Sequence, residues 1–211
     1  MKLREHIEWC NIWVTGAEDG PGLPRILLAG DSITQSYFDG VEKRLEGRFR
    51  CARLTTSRCA GDPQLKKEFA LLLGDFQFSI IHFNNGLHGW DRSEAAYAKG
   101  LANVLDFIRR RSPGSRLLWG STTPVWNGGE SGGLDAAKTA RVRERNRAAR
   151  ALAAERNIPV NDLFSAVIGR GELISQDGVH FKPAGCQALA ERVAGFILGK
   201  APLWNRGRRP A

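Results

Sequence analysis

Short apolar runs alternate along the chain with longer stretches in which apolar residues recur every three or four positions. Continuous apolar runs are typical of buried parallel strands, and the longer spacing is typical of amphipathic helices. The predicted strands are 26–29, 51–54, 80–83, 117–119 and 158–160, and the predicted helices are 37–45, 62–72, 93–108, 136–156 and 183–198. Because strands that alternate with helices form right-handed crossovers onto a parallel sheet, we expect an α/β sandwich with a five-stranded parallel sheet.

The first residues follow a different pattern. Leu3, Ile7, Cys10 and Val14 recur at helical spacing, and a turn-rich stretch follows at 16–24. This spacing predicts an N-terminal amphipathic helix and turn over residues 1–24, packed on the main domain. We expect that domain to span residues 25–199 and a basic tail to cover residues 200–211.

Composition and charge restrict the class of protein. The chain has 211 residues, of which 42% are hydrophobic and 25% charged, as expected for one globular domain. Lys and Arg exceed Asp and Glu by 31 to 22, mainly through residues 141–150 and the tail. No nucleic-acid motif accompanies this charge, so we interpret 141–150 as a solvated face and expect no nucleic-acid partner. The oligomeric state stays open.

The cysteines and the N-terminus bear on the compartment. The four cysteines are irregularly spaced and form no C-x-x-C pair, so we expect buried thiols and no disulfide framework: Cys10, Cys51, Cys59 and Cys186. Charged residues interrupt the first 14 positions, and no run of about 18 apolar residues occurs, which argues against a signal peptide and a membrane span. The expected location is cytoplasmic, or secreted if a leader has been removed.

The first motif with chemical meaning follows the first predicted strand. Gly30, Asp31 and Ser32 lie between that strand and a helix, where a serine hydroxyl would reach the carboxyl edge of the sheet. This is a suitable position for a nucleophile, although the same residues could simply cap the helix. A serine hydroxyl is a weak nucleophile and requires a nearby base.

A candidate base lies near the other end of the chain. Asp177 precedes His180 by three residues across an Asp-Gly turn, so the carboxylate can orient the imidazole and stabilise its charged form. An isolated D-x-x-H could also be an ordinary surface turn. Its combination with Gly-Asp-Ser is much more specific.

Together these motifs resemble those of the SGNH, or GDSL-type, hydrolases. The resemblance covers about residues 25–198 and rests on 30–34 and 177–180. It implies a flavodoxin-like three-layer fold and a serine esterase in which Ser32 is the nucleophile, His180 the general base and Asp177 its orienting partner.

The resemblance also implies an oxyanion hole. Its donors would be the main-chain N–H groups of Ser32 and Gly61, together with a side chain of the third family block. That block usually has the form G-x-N-D, but this chain has Asn84, Asn85 and Gly86, followed by His88. We prefer Asn84, because N-x-G followed by an aromatic residue or histidine resembles the block of plant wall-polysaccharide O-acetyltransferases. Alignment on the glycine would assign the role to His88 instead, and both asparagines could merely form a turn.

Other residues near the expected site have less specific roles. His88, Trp90 and Trp126 could line a substrate pocket, although Trp126 could equally belong to the core. Nothing in the sequence indicates a metal or another cofactor. We therefore expect a serine esterase that removes short acyl groups, above all acetyl, from a carbohydrate. The alternatives are an O-acyltransferase that uses the same serine and a non-catalytic carbohydrate-binding module.

Overall fold

A computed structural model describes residues 5–18, 22–128 and 132–200. The strands are β1 (Cys10–Val14), β2 (Arg25–Gly30), β3 (Arg50–Thr56), β4 (Ile80–Phe83), β5 (Arg116–Gly120) and β6 (Val160–Asn161). The helices are α1 (Ser32–Leu45), α2 (Pro63–Asp75), α3 (Glu94–Arg111), α4 (Ala136–Glu155), α5 (Leu163–Val167) and α6 (Pro183–Lys200), and a 3₁₀ turn covers Gly171–Leu173.

All six strands form one sheet in the order β1-β3-β2-β4-β5-β6. β1 runs antiparallel to β3, and the remaining neighbours are parallel. The α/β sandwich is therefore confirmed, with six strands instead of the predicted five. The five parallel strands alone follow the doubly wound order of flavodoxin-like sheets.

The predicted N-terminal helix is wrong within the described residues. Cys10–Val14 form β1, which pairs residue by residue with β3, from Cys10 opposite Thr56 to Val14 opposite Ala52. Ile12 and Trp13 favour extended structure, and pairing with an open sheet edge overrides the helical spacing of a few apolar residues. The segment is consequently part of the main sheet and not a separate helix packed on it.

Two apolar cores lie on opposite faces of the sheet. Successive residues of β2 face different cores: Ile26 and Leu28 pack into one, and Leu27 and Ala29 pack into the other. The first core is covered mainly by α1 and α6, and the second by α2, α3 and the C-terminal half of α4. β2 is buried on both faces, which explains why its sequence is a continuous apolar run.

The sheet order defines where ligands are expected. The chain leaves β2 through α1 to β3 on one side, and α2 then carries it across to β4 on the other side. The carboxyl end of β2 is therefore the topological switch point, where open α/β sheets form a crevice. Ser32 lies at this end.

The arginine-rich part of α4 is only partly the solvated face that was expected. Arg147 is largely exposed, whereas Arg145 is completely buried. Burial of a guanidinium requires hydrogen-bond partners, and those of Arg145 lie in the candidate site. The thiols also differ from expectation, because Cys51 and Cys59 are buried but Cys10 is exposed and Cys186 half-buried.

Within the described residues, no helix combines the length and the apolar character needed to cross a membrane. The predicted basic tail lies outside those residues after its first position, and so do Leu3 and part of the glycine-rich loop at 127–133.

Candidate active site

Ser32 occupies the first position of α1, directly beyond β2. Asp31 caps the helix, because its carboxylate accepts a hydrogen bond of 3.0 Å from the Ile33 N–H. Gly30 is required by close packing, since a Cβ at this position would collide with the Thr34 side chain. Asp31, and not Ser32, therefore caps α1. This leaves the hydroxyl of the half-buried Ser32 available at the carboxyl edge of the sheet.

Asp177 and His180 share one tight turn ahead of α6. Asp177 Oδ1 accepts hydrogen bonds of 2.9 Å from the N–H groups of Val179 and His180 and from the Ser175 hydroxyl. Gly178 adopts φ +74°, and a Cβ there would collide with the Trp126 carbonyl. The turn therefore fixes the carboxylate relative to the imidazole before any distant residue is involved.

The fold brings this turn to Ser32, 148 positions away in the sequence. His180 Nε2 lies 2.8 Å from Ser32 Oγ, and His180 Nδ1 lies 2.6 Å from Asp177 Oδ2. Both distances are hydrogen-bond distances. In this arrangement Nε2 can accept the serine proton while the carboxylate holds the proton on Nδ1.

The two aspartates near this array have opposite electrostatic environments. Partial burial acts to raise the pKa of Asp177, but the hydrogen bonds from His180, Val179 and Ser175 outweigh it and lower the pKa well below its usual range. Complete burial raises the pKa of Asp31, against the lowering effects of His88 and His180. Asp177 is thus the carboxylate suited to stabilise a charged His180.

Gly61 follows β3, the strand beside β2, and precedes the Asp62 cap of α2. Its surroundings are crowded, because a Cβ at Gly100 of α3 would lie 2.7 Å from Gly61 Cα. The guanidinium of Arg92 covers it from another side, since a Cβ at Gly61 would collide with Arg92 Cζ and Nη2. Only glycine fits this position without displacing Arg92.

Asn85 joins the loop after β4 to the loop after β3. Its Oδ1 accepts from the Ala60 N–H and its Nδ2 donates to the Arg58 carbonyl, both at 2.9 Å. Sequence reasoning did not assign this function, and the Asn-Asn pair before glycine was the only signal. The contact keeps Gly61 beside the loop that carries His88.

Asn84, the preferred third oxyanion donor, is engaged elsewhere. Its side chain is buried, and Nδ2 donates 2.8 Å to the Gly120 carbonyl at the end of β5. Asn84 directly follows β4, and its main-chain N–H donates 3.0 Å to the Ala29 carbonyl of β2. One of the two amide hydrogens of Asn84 is therefore committed to the Gly120 carbonyl, and its role as third oxyanion donor stays a prediction.

His88 is held by the N-terminal segment. Its Nδ1 lies 2.8 Å from Glu5 Oε1, and the Trp9 ring stands edge-on at 6.5 Å between centroids. Within the described ranges, Nε2 of His88 has no hydrogen-bond partner. Neither Glu5 nor Trp9 was predicted, because no local pattern connects residues more than 75 positions apart.

Arg145 fixes the main chain of the His88 loop. Its guanidinium donates to the carbonyls of Gly86, His88 and Gly89 at 2.8–2.9 Å. It also lies 4.9 Å from the Trp90 ring centroid. These contacts explain its burial.

The two tryptophans predicted near the site differ in position. Trp90 is half-buried against the guanidinium groups of Arg141 and Arg145. Trp126 is 9% exposed and belongs to the core, and its main-chain N–H donates 2.8 Å to the Gly178 carbonyl. Trp126 therefore supports the Asp177 turn, and its ring is not an exposed stacking platform.

The described part of the chain contains no group of three or more His, Cys, Asp or Glu side chains arranged to hold a metal ion.

A protein-family model described as "GDSL-like Lipase/Acylhydrolase family" matches residues 28–188. This range contains every residue of the Ser32, Asp177 and His180 array. A search of curated protein sequences finds no match.

Several solved structures share the fold. The acetyl xylan esterase AlAXEase is 15% identical with a TM-score of 0.67, over 82% of this chain and 99% of that chain. An aryl esterase from M. smegmatis is 17% identical with a TM-score of 0.68, over 83% and 99%. A lipolytic protein of the G-D-S-L family from Veillonella parvula DSM 2008 is 19% identical with a TM-score of 0.66, over 82% and 98%. At these identities the likeness concerns the fold.

Proposed function

Because the chain belongs to the GDSL-like lipase/acylhydrolase family and is a carboxylic ester hydrolase, we propose that it acts through an acyl-enzyme on Ser32. Ser32 Oγ bonds to the acyl carbon while His180 Nε2 takes its proton. The tetrahedral intermediate then collapses, the ester C–O bond breaks, and His180 returns the proton to the departing alcohol. Water then attacks the acyl-enzyme with His180 again as the base, which releases the carboxylic acid and restores the Ser32 hydroxyl. The hydrogen-bonded array of Ser32, His180 and Asp177 is the observation that carries this proposal.

The oxyanion would be held by the main-chain N–H groups of Ser32 and Gly61 and by a third donor, for which we now propose His88. An imidazolium donates from both ring nitrogens, so Nδ1 can bind Glu5 while the unpartnered Nε2 binds the oxyanion. The clamp by Arg145 fixes the loop from which this donor projects.

The third donor is testable with two variants. His88→Ala is expected to lower kcat by about a hundredfold with little change in KM, because an oxyanion donor acts mainly in the transition state. Asn84→Ala is expected to affect the melting temperature more than kcat, because it removes a buried hydrogen bond between strand ends. Both parameters are measured with an aryl acetate.

His88→Asn is the matched control for His88→Ala. It restores an uncharged amide donor and is expected to recover part of the lost kcat. A larger kcat loss in Asn84→Ala than in His88→Ala would return the third-donor role to Asn84.

For the substrate we propose a short acyl group, above all acetyl, on a carbohydrate. AlAXEase, which shares the fold, is an acetyl xylan esterase. The rim of the site in this chain is polar, because the side chains of Asp177, His180 and Glu5 are all about half exposed. A carbohydrate ester fits such a rim better than a long hydrocarbon chain does.

A panel of esters tests this assignment. With 4-nitrophenyl esters from acetate to octanoate, we expect kcat/KM to be highest for acetate and to fall at least tenfold by octanoate. Acetylated xylo-oligosaccharides should lose acetate, and products analysed with an added sugar acceptor separate hydrolysis from acyl transfer. A preference for octanoate would reject the short-acyl assignment, whereas dominant transfer to the acceptor would favour the acyltransferase alternative.

A further inference from the structure

Arg92 lies against the main chain of Gly61, the glycine to which an oxyanion donor is assigned. A Cβ at Gly61 would collide with Arg92 Cζ and Nη2 and lie 2.7 Å from Nε. The flat face of the guanidinium therefore covers the Gly61 backbone. Nε itself is buried and has no hydrogen-bond partner among the residues that the structure describes.

The charge of Arg92 is uncompensated, unlike that of its basic neighbours. Arg58 has three carboxylates within 4.0 Å, from Glu8, Asp62 and Glu68. Arg141 pairs with Glu94 at 2.7 Å. For Arg92, the described ranges provide neither an ion pair nor a side-chain hydrogen bond.

The main chain around Arg92 is firmly anchored. Its N–H donates 3.1 Å to the Gly89 carbonyl, and its carbonyl accepts 2.6 Å from Arg141 Nη2. The next residue, Ser93, caps α3 by accepting from the Ala96 N–H. Arg92 therefore directly precedes the N-cap of α3, on a main chain that is hydrogen-bonded through both its N–H and its carbonyl.

A partly buried guanidinium without an anion loses hydration and gains no ion pair in return. Its planar fork matches a carboxylate in geometry, and a bidentate pair adds both affinity and orientation. A carboxylate bound here would lie beside Gly61, at the same carboxyl edge of neighbouring strands β3 and β2 as Ser32.

We propose that Arg92 binds a carboxylate group of the ester substrate, such as that of an acidic sugar residue or of a dicarboxylic half-ester. This specificity rests on the proposed esterase activity of Ser32. It predicts that the enzyme prefers an ester with a free carboxylate over an uncharged ester of similar shape.

Matched substrate pairs test the proposal on both sides of the ester bond. On the acyl side, 4-nitrophenyl hemisuccinate is compared with 4-nitrophenyl pentanoate, and on the alcohol side, 3-acetoxybenzoate with phenyl acetate. Arg92→Gln is expected to lower the ratio of kcat/KM for the charged over the uncharged ester by about tenfold in at least one pair, as expected for loss of a charge-assisted hydrogen bond. Arg147→Gln, which alters a largely exposed arginine on α4, is the control and should leave both ratios unchanged.

Binding to the inactive Ser32→Ala protein gives a readout that does not require turnover. We expect the Kd of monomethyl succinate, measured by calorimetry, to rise about tenfold when Arg92→Gln is added. Unchanged ratios and an unchanged Kd would overturn the role of Arg92 and leave the esterase proposal intact. Hydrolysis that persists in Ser32→Ala would instead contradict the proposed function, while the Kd would still report on Arg92.

Discussion

Ser32→Ala is expected to lower kcat for ester hydrolysis by about ten-thousandfold or more, because loss of the nucleophile removes the covalent pathway. His180 Nε2 lies 2.8 Å from Ser32 Oγ, so the hydroxyl is already paired with its base before substrate binds. A fluorophosphonate should label Ser32 in the wild-type protein, with activity falling in proportion to occupancy. Peptide mapping after labelling identifies the modified residue.

Ser36→Ala is the matched control, since Ser36 lies one turn further along α1 and donates to the Ile33 carbonyl. This variant should retain normal labelling and turnover. Circular dichroism and the melting temperature show whether Ser32→Ala keeps the fold. Labelling at another residue, or full activity of a folded Ser32→Ala protein, would reject the acyl-enzyme and favour a carbohydrate-binding module.

The residues of the proposed triad could be found in the sequence because each lies in a locally defined feature. Ser32 directly follows a strand whose apolar run is unmistakable, and Asp177 and His180 share one turn. Only the proximity of His180 to Ser32 depends on the fold. The rule that ligands bind at the carboxyl edge of parallel strands allows this proximity to be predicted. The confirmed α/β architecture was predictable for the same reason, since it follows from local periodicity.

Features decided by distant partners are harder to predict from the sequence. β1 forms because β3 offers an unpaired edge, which the helical spacing around Cys10 and Val14 cannot reveal. Asn84 was preferred from its place at the end of a strand, but its amide meets the Gly120 carbonyl of the neighbouring strand. Tertiary hydrogen bonding decides the first case, and in the second it occupies one amide hydrogen of the side chain.

The surroundings of His88 show the same dependence. Glu5 and Trp9, from the N-terminal segment, contact the His88 ring, and Arg145, from α4, binds the His88 carbonyl. All three residues are more than 50 positions from His88 in the sequence. Arg145 belonged to an arginine-rich stretch whose composition indicated solvent exposure. Its full burial follows from three carbonyls that only the folded loop presents.

His180→Ala is expected to lower kcat nearly as much as Ser32→Ala, by about ten-thousandfold or more, because the serine proton then has no acceptor. The double variant of both residues should be little worse than either alone, since triad members act as one unit. Measuring kcat for the three proteins with an aryl acetate tests this non-additivity. Effects that multiply in the double variant would show that His180 and Ser32 act independently.

Asp177→Asn should also reduce kcat strongly, by about a thousandfold or more, while KM changes little, because the asparagine amide stabilises the wrong tautomer of His180. In the native protein the hydrogen bonds to Asp177 hold its pKa well below the usual range, so this carboxylate stays ionised down to low pH. The acidic limb of the kcat profile should therefore have a slope of one proton, with no contribution from Asp177. Ser175→Ala, which removes only one of the hydrogen bonds to Asp177, should leave that slope unchanged. A limb with a slope of two protons would show that the Asp177 carboxylate also titrates in this range and would reject its assignment as a permanently ionised partner of His180.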